Sequence, residues 1–358
     1  METLQTLMIR PVTRDDHGQM MDLAKLAGFS MTSLPQDEAV MHRKIAYAVQ
    51  SFAGAPPRPD QHSFLLVLED TASGRIVGTT GIKAHVGLSE PYYSYKLSTL
   101  VHANSDLDIY TRQKVLHMVN DFTGATEIGA LFLHAQYRRH GMGAFLSRVR
   151  FLMMAEFPDL FADTVVAEIR GIHDNHGEST FYNNLARHFF QMPFDQADYI
   201  YATKGNQFIS DLMPRYPIYV TLLSPAAQAV IGEPFADSKP AARILEQEGF
   251  YYEGYVDLFD AGPTLQAERQ RIATVCGSRK AVVGAVAPVR SDQRSMIANT
   301  DLNHLRVVLD AIDENPDNTV TVSPAAAQRL QVAHGDRVRF APQFPAAAAL
   351  DQIKGCQI

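Results

Sequence analysis

The hydrophobic and polar positions fall into short bounded blocks whose period changes along the chain. "LMIRP" predicts a strand over Leu7–Pro11. The polar cluster behind it places Thr13, Asp15 or Asp16 to cap a helix through Met20–Leu26. "SFLLVLEDTASGRIVGTTGIKAHVG" reads as two strands, Phe64–Glu69 and Ile76–Ile82, joined by a Ser-Gly turn into an antiparallel hairpin. "IGALFLHAQY" is a near-continuous apolar run, which predicts a central strand buried on both faces. A helix over Gly143–Phe157 follows, with Phe151, Leu152, Met153 and Met154 facing the core, and then a strand in "DTVVAEIRGI". Strand, turn, helix, strand across 128–172 is an α/β unit at the heart of a mixed sheet.

The texture then shifts twice. From about 174 to 225 the pattern predicts a helical insertion ending in the strand-like "YPIYVTLL". A helix follows and ends at Gly249, whose missing Cβ suits a left-handed C-terminal cap, and a strand comes after it. Beyond about 275, "VCGSRKAVVGAVAPVRSDQRSMIAN" is polar and irregular. "HLRVVLDAI" and "NTVTVSPAAAQRLQVAHGDRVRFAP" read as short strands around one helical turn, with a turn at His334-Gly335-Asp336. The predicted organisation is a mixed, mainly antiparallel α/β (α+β) domain over 1–275 and a small β-barrel-like domain and tail over 276–358. "PAAAAL" reads as tail. "FYNNLARHFF" and "ARILEQEGFYY" echo each other without establishing a repeat.

Composition narrows the function classes. The formal charge of −7 argues against a general nucleic-acid or membrane-surface binder. No stretch approaches the roughly 20 apolar residues of a membrane span, and no apolar signal core opens the chain. Cys276 and Cys356 give neither a disulfide framework nor a metal spacing, which fits a reducing cytoplasm.

Against that acidity, "YRRHGMG" stands out. Arg138-x-x-Gly141-x-Gly143 joins a buried strand to a helix. A pyrophosphate needs converging amide N–H groups, close backbone approach and a helix N-terminus, and this turn supplies all three. The plain alternative is a basic, solvated strand-to-helix turn. Neither the GxGxxG of dinucleotide folds nor the Lys-Ser/Thr of a nucleotide P-loop is present. The arrangement resembles the acyl-CoA pyrophosphate loop of GNAT N-acyltransferases. That resemblance implies a GNAT-like sheet whose strand before the loop splays from its neighbour and holds the pantetheine arm. Here the cofactor-binding residues would be Leu131, Phe132 and Leu133 with Arg138, Arg139, His140, Gly141, Met142 and Gly143.

The blocks "IRPVTRDD", "FLLVLEDTASGRIVG", "VGLSEPYYSYKL", "NDFTGATEIGALFL", "FISDLMPRYPIYV" and "EGFYYEGYVDLFDAGPTL" together resemble the bacterial arginine (or ornithine) N-succinyltransferases, collinearly over roughly residues 8–270. Family membership implies transfer of succinyl from succinyl-CoA to the α-amino group of arginine in arginine catabolism, without a metal. It also implies a cytoplasmic homo- or hetero-oligomer with no nucleic-acid or membrane partner. The family's succinyl-CoA contact falls on Leu131. Phe235 stands where the family carries a proton-donating His, and Phe cannot transfer a proton. Tyr182 stands where the family has Trp, and a phenol can protonate a departing thiolate.

The candidate catalytic residues are therefore Tyr182, as acid or as a packing residue, and His102, as base or as a satisfied core residue. Glu168 and Asp174 are candidates for the acceptor's guanidinium. Their structural alternatives are an Arg partner for Glu168 and a helix cap over 179–190 for Asp174. His173 and His176 lack a further ligand set for a metal. Two other functions fit the same fold: an N-acyltransferase with another acceptor or acyl donor, and a weakly catalytic CoA-binding subunit of a hetero-oligomer.

Overall fold

The computed structural model describes residues 6–344 apart from 29, 30, 32, 55–57, 59–61 and 175. "PAAAAL" and Cys356 lie outside the described residues. The strands are β1 (Leu7–Pro11), β2 (Ser63–Asp70), β3 (Arg75–Lys83), β4 (Ser94–Asn104), β5 (Ile109–Val119), β6 (Thr126–Leu133), β7 (Thr164–Glu168) and β8 (Ile218–Tyr219). They continue with β9 (Tyr251–Val256), β10 (Pro263–Glu268), β11 (Arg279–Val286), β12 (Arg294–Asn299), β13 (Val307–Glu314), β14 (Thr319–Val322) and β15 (Arg337–Pro342). Hydrogen bonds link all of them in the order β12-β15-β11-β14-β13-β1-β2-β3-β6-β7-β10-β9-β4-β5-β8. Only β6–β7 and β11–β14 are parallel, so the fold is the mixed, mainly antiparallel α/β class that the pattern predicts.

The apolar run of β2 has a two-sided explanation. Phe64, Leu66 and Leu68 join Phe145, Leu146, Val149 and Leu152 of α3 (Met142–Glu156) in one core. Leu65 and Val67 face the other way, against Met20 and Leu23 of α1 (His17–Ala27) and Met41 and Ile45 of α2 (Glu38–Phe52). With helices on both faces, every position of the strand can be apolar. Phe151, Leu152, Met153 and Met154 are buried as expected. α1 begins behind a short turn at Arg14–Asp16, where Thr13 and Asp16 cap each other reciprocally.

Three expectations change. β6 is not buried on both faces: Leu131 and Phe132 remain half-open, because β7 pairs with it only through Thr126↔Val165 and Glu127↔Val166. "YPIYVTLL" yields two strand residues at the sheet edge and then a 3-10 turn, Val220–Leu222. The polar stretch after 275 is not irregular: it contains β11 and β12. β13 also pairs with β12. That closes β12-β15-β11-β14-β13 into a small barrel, joined to the main sheet by β1–β13.

Candidate active site

β6 carries the defining irregularity. Its register against β3 runs from Thr79↔Phe132 to Gly81↔Gly129, so Ala130 and Leu131 together face Thr80. This is a bulge, and Ala130 takes the left-handed conformation at φ +50°. Gly81 makes it possible, because a Cβ there would lie 3.3 Å from that of Ala130. Among the described residues the edge of β6 facing β7 has no strand partner downstream of Glu127. The bulge and the parting of β7 leave the backbone of Leu131–Leu133 beside an open wedge.

The chain leaves that wedge through the basic turn. Arg138 bends back, its Nε donating to the Leu133 carbonyl at 2.9 Å and its guanidinium lying 6.0 Å from the Phe132 ring centroid. Arg139 and His140 are exposed. His140 and Gly141 are both left-handed, at φ +54° and +77°, and Gly141 caps α3. Met142 does not face a ligand, because its side chain is buried and its N–H donates to the Arg139 carbonyl at 3.1 Å. Among the described residues nothing accepts from the N–H groups of His140, Gly141, Gly143 or Ala144. Donors without acceptors at a helix N-terminus form an anion cradle.

Glu168 ends β7 on the far side of the wedge, and a recess of acidic groups surrounds it. Burial, then Asp257 and Glu127, push its carboxyl well above the usual range. Burial raises Asp257 to about 7, with Asp260 adding to the effect. Burial and the charge of Asp257 raise Asp198 to about 7. These side chains keep part of their surface accessible while the protein strips away most of their hydration, as befits the lining of a recess. Two cations stand beside these groups: Lys83 pairs with Glu127 at 2.8 Å, and Arg170, 4.8 Å from the Phe235 ring centroid, acts on the charges of Asp260 and Asp198. Asp260 accepts from the amides of Gly171 and Gly262 at 2.7 and 2.8 Å. Three nearby polar atoms are buried without a hydrogen-bond partner among the described residues, Tyr92 Oη, Arg170 Nε and His173 Nε2. Burial pushes the His173 imidazole down, toward its neutral form.

The structure separates the other candidates from this place. Tyr182 is fully buried among Phe190, Phe194 and Phe259. Its hydroxyl donates to the Met192 carbonyl at 3.1 Å, and burial raises the phenol to about 12. Its ring is engaged in packing and its proton in that hydrogen bond, which matches the packing alternative and offers no free phenol to act as acid. His102 lies on the outer, exposed half of the β4–β5 hairpin, so it is neither a core residue nor a base in the recess. Asp174 is exposed and accepts from the amides of His176 and Glu178 at 2.8 and 3.0 Å. Those bonds hold its carboxyl low and close a turn, while Ser179 caps the helix Thr180–Asn184. Among the described residues no group of three or more His, Cys, Asp or Glu is arranged to hold a metal. Asp257 and Asp198 escaped sequence reading. They lie far from the loop in the chain, and the only local signal was the acidic "DLFDAGP" block.

A bulged strand that parts from a parallel neighbour and feeds a turn of free amides is the arrangement that the resemblance to GNAT-like acyltransferases implies, and the chain's relatives place it in the acyltransferase class. The family described as arginine N-succinyltransferase beta subunit matches residues 7–274, and its C-terminal domain matches 279–342. The arginine N-succinyltransferase of Escherichia coli O6:K15:H31 is 40% identical over 335 residues, covering 93% of this chain and 97% of the relative. That of Shigella flexneri matches to the same extent, 40% over 335 residues. The structure of arginine/ornithine succinyltransferase subunit AI from Pseudomonas aeruginosa superposes with a TM-score of 0.85 at 35% identity, over 94% of this chain and 99% of that one. The chain belongs to the arginine N-succinyltransferase family.

Proposed function

We propose that the protein transfers the succinyl group of succinyl-CoA to the α-amino group of arginine. The observation that carries this reading is the wedge between β6 and β7, with a four-amide cradle at one end and the Glu168 recess at the other. The pyrophosphate sits on the amides of His140, Gly141, Gly143 and Ala144, with Arg139 at the rim. The pantetheine arm runs along Leu131–Leu133, and the thioester reaches the bulge. Asp257 and Asp198 receive the guanidinium of the acceptor, a second cation beside Arg170 in a recess where acidic groups outnumber basic ones. Glu168 lies nearest the wedge and takes the ammonium proton. A carboxyl raised by burial suits that task near neutral pH.

The free amine then attacks the thioester carbonyl. Backbone N–H groups of the bulged strand stabilise the oxyanion, the C–S bond breaks, and the CoA thiolate takes its proton from solvent. Phe235 contributes no proton. Its ring stacks under Arg170, and its N–H donates to the Arg170 carbonyl at 2.8 Å.

The reading places the enzyme in the cytoplasm, as a homo- or hetero-oligomer. Leu107, Ile109 and Tyr110, exposed at the tip of the β4–β5 hairpin, support such assembly. Among the described residues no helix is long and apolar enough to cross a membrane. We also divide the chain near 275, as the two family matches do.

Thiol release from succinyl-CoA with arginine, ornithine and a panel of amines tests the reading. Arginine-dependent release is the expected result. Release with another amine alone would reassign the acceptor, and CoA binding without turnover would make the chain a binding subunit.

A further inference from the structure

Gln343 follows β15, about 200 residues beyond the basic turn in sequence, yet reaches back to it. Three bonds fix it. Its N–H donates to the Arg294 carbonyl at 2.9 Å, its own carbonyl accepts from the Arg148 guanidinium, and its Nε2 donates to the His140 carbonyl at 2.9 Å. Arg148 is itself immobilised. It is buried on α3 and bonded to Glu248, to Thr274 Oγ1 at 3.0 Å and to the Pro342 carbonyl at 3.0 Å. Gly141 leaves room for the contact, since a Cβ there would lie 2.6 Å from Gln343 Nε2 and 2.9 Å from Phe344 Cζ.

The first N–H groups of a helix have no acceptor within it, and Ala144 is the third residue of α3. Its N–H would gain the His140 carbonyl, four residues back, if the helix began one residue earlier. Here the N-cap Gly141 is left-handed, the His140 carbonyl goes to Gln343, and among the described residues the Ala144 N–H has no acceptor.

We propose that Gln343 is a positioning residue for the acyl donor: by occupying the His140 carbonyl it keeps the Ala144 N–H, and the cradle around it, free for the pyrophosphate. The proposal rests on the reading of the turn as the pyrophosphate site. Without the carboxamide, Gly141 can relax from the left-handed to the right-handed region, the helix gains a residue, and the cradle loses a donor. A hydrogen bond to a charged acceptor is worth about 10- to 100-fold in affinity.

The test uses the full chain with two acyl donors, succinyl-CoA and S-succinylpantetheine, which has no pyrophosphate. Gln343→Glu keeps the shape but removes the donor, and Gln343→Ala removes both. Arg139→Ala reports on the turn itself. Expected for both Gln343 variants is a roughly 10- to 100-fold rise in KM for succinyl-CoA with kcat little changed, and no change in kcat/KM with S-succinylpantetheine. Equal losses with both donors would mean a general structural role and overturn the proposal. A raised KM in Arg139→Ala with none in Gln343→Glu would overturn it while leaving the turn's assignment standing. No rise in either variant would remove the assignment of the turn, and the proposal with it.

Discussion

The Arg148 guanidinium lies 2.5 Å from the Glu248 carboxylate, with 3% and 0% of the two side chains exposed. This pair fastens α3, which begins at the basic turn, to the end of the helix Lys239–Gln247. Glu248 also accepts from the Thr274 amide at 2.7 Å, so one carboxylate holds three segments.

Glu248→Ala leaves a sealed guanidinium without its counter-charge. The expected loss is about 3–5 kcal/mol, measured as a fall in the urea midpoint at unchanged slope. Replacing both residues, Arg148→Met with Glu248→Leu, recovers much of that loss, because it removes the buried charge rather than stranding it.

Ala130 holds a left-handed conformation at which a β-branched side chain is far more strained than alanine. Ala130→Val is expected to cost about 2–3 kcal/mol and to abolish acyl transfer by forcing the bulge out of β6. Ala130→Gly should be close to neutral in stability, since relief of the Cβ clash offsets the added chain entropy. Thermal melts and turnover of the two variants check this.

Tyr182→Phe keeps kcat and loses about 1 kcal/mol, the worth of the hydrogen bond to Met192. A large fall in kcat with normal stability would return the phenol to the chemistry.

Asp198 and Asp257 titrate near 7 in the folded chain, against about 4 when unfolded. The folded state therefore holds more protons between these values. Their stabilising effect is complete below about pH 4 and is lost as pH rises through about 7. Without ligand, stability should fall across that window, and Asp198→Asn should flatten the slope. Arginine binding, which needs the carboxylates ionised beside Arg170, should tighten over the same range and release protons. Calorimetry in buffers of different ionisation enthalpy measures that release.

The β6–α3 unit was legible because its apolar run, glycines and helix lie together in the chain. The bulge was not legible, since alanine rather than glycine takes the positive φ. Glu168 was legible as the end of a strand beside the turn, whereas Asp198 comes from the helix Phe194–Lys204 and Asp257 from the turn after β9, both distant in the chain. β11 was read as irregular because only Val283 along it is buried, so a barrel strand wetted over most of its length gave no period. The surroundings of Tyr182 and His102 were not legible, because neighbouring motif letters carry no information on which way a side chain points.

The strand β1 pairs on one edge with β2 and on the other with β13, where Met8 faces Val308. During synthesis the first edge can close within about seventy residues, but the second must wait for a segment three hundred residues later. Until then β1 presents open backbone donors and acceptors, the usual template for misplaced strand pairing. Completion of the main sheet is thus timed by the C-terminal barrel, and a ribosome paused between them would hold a chain with an unguarded edge.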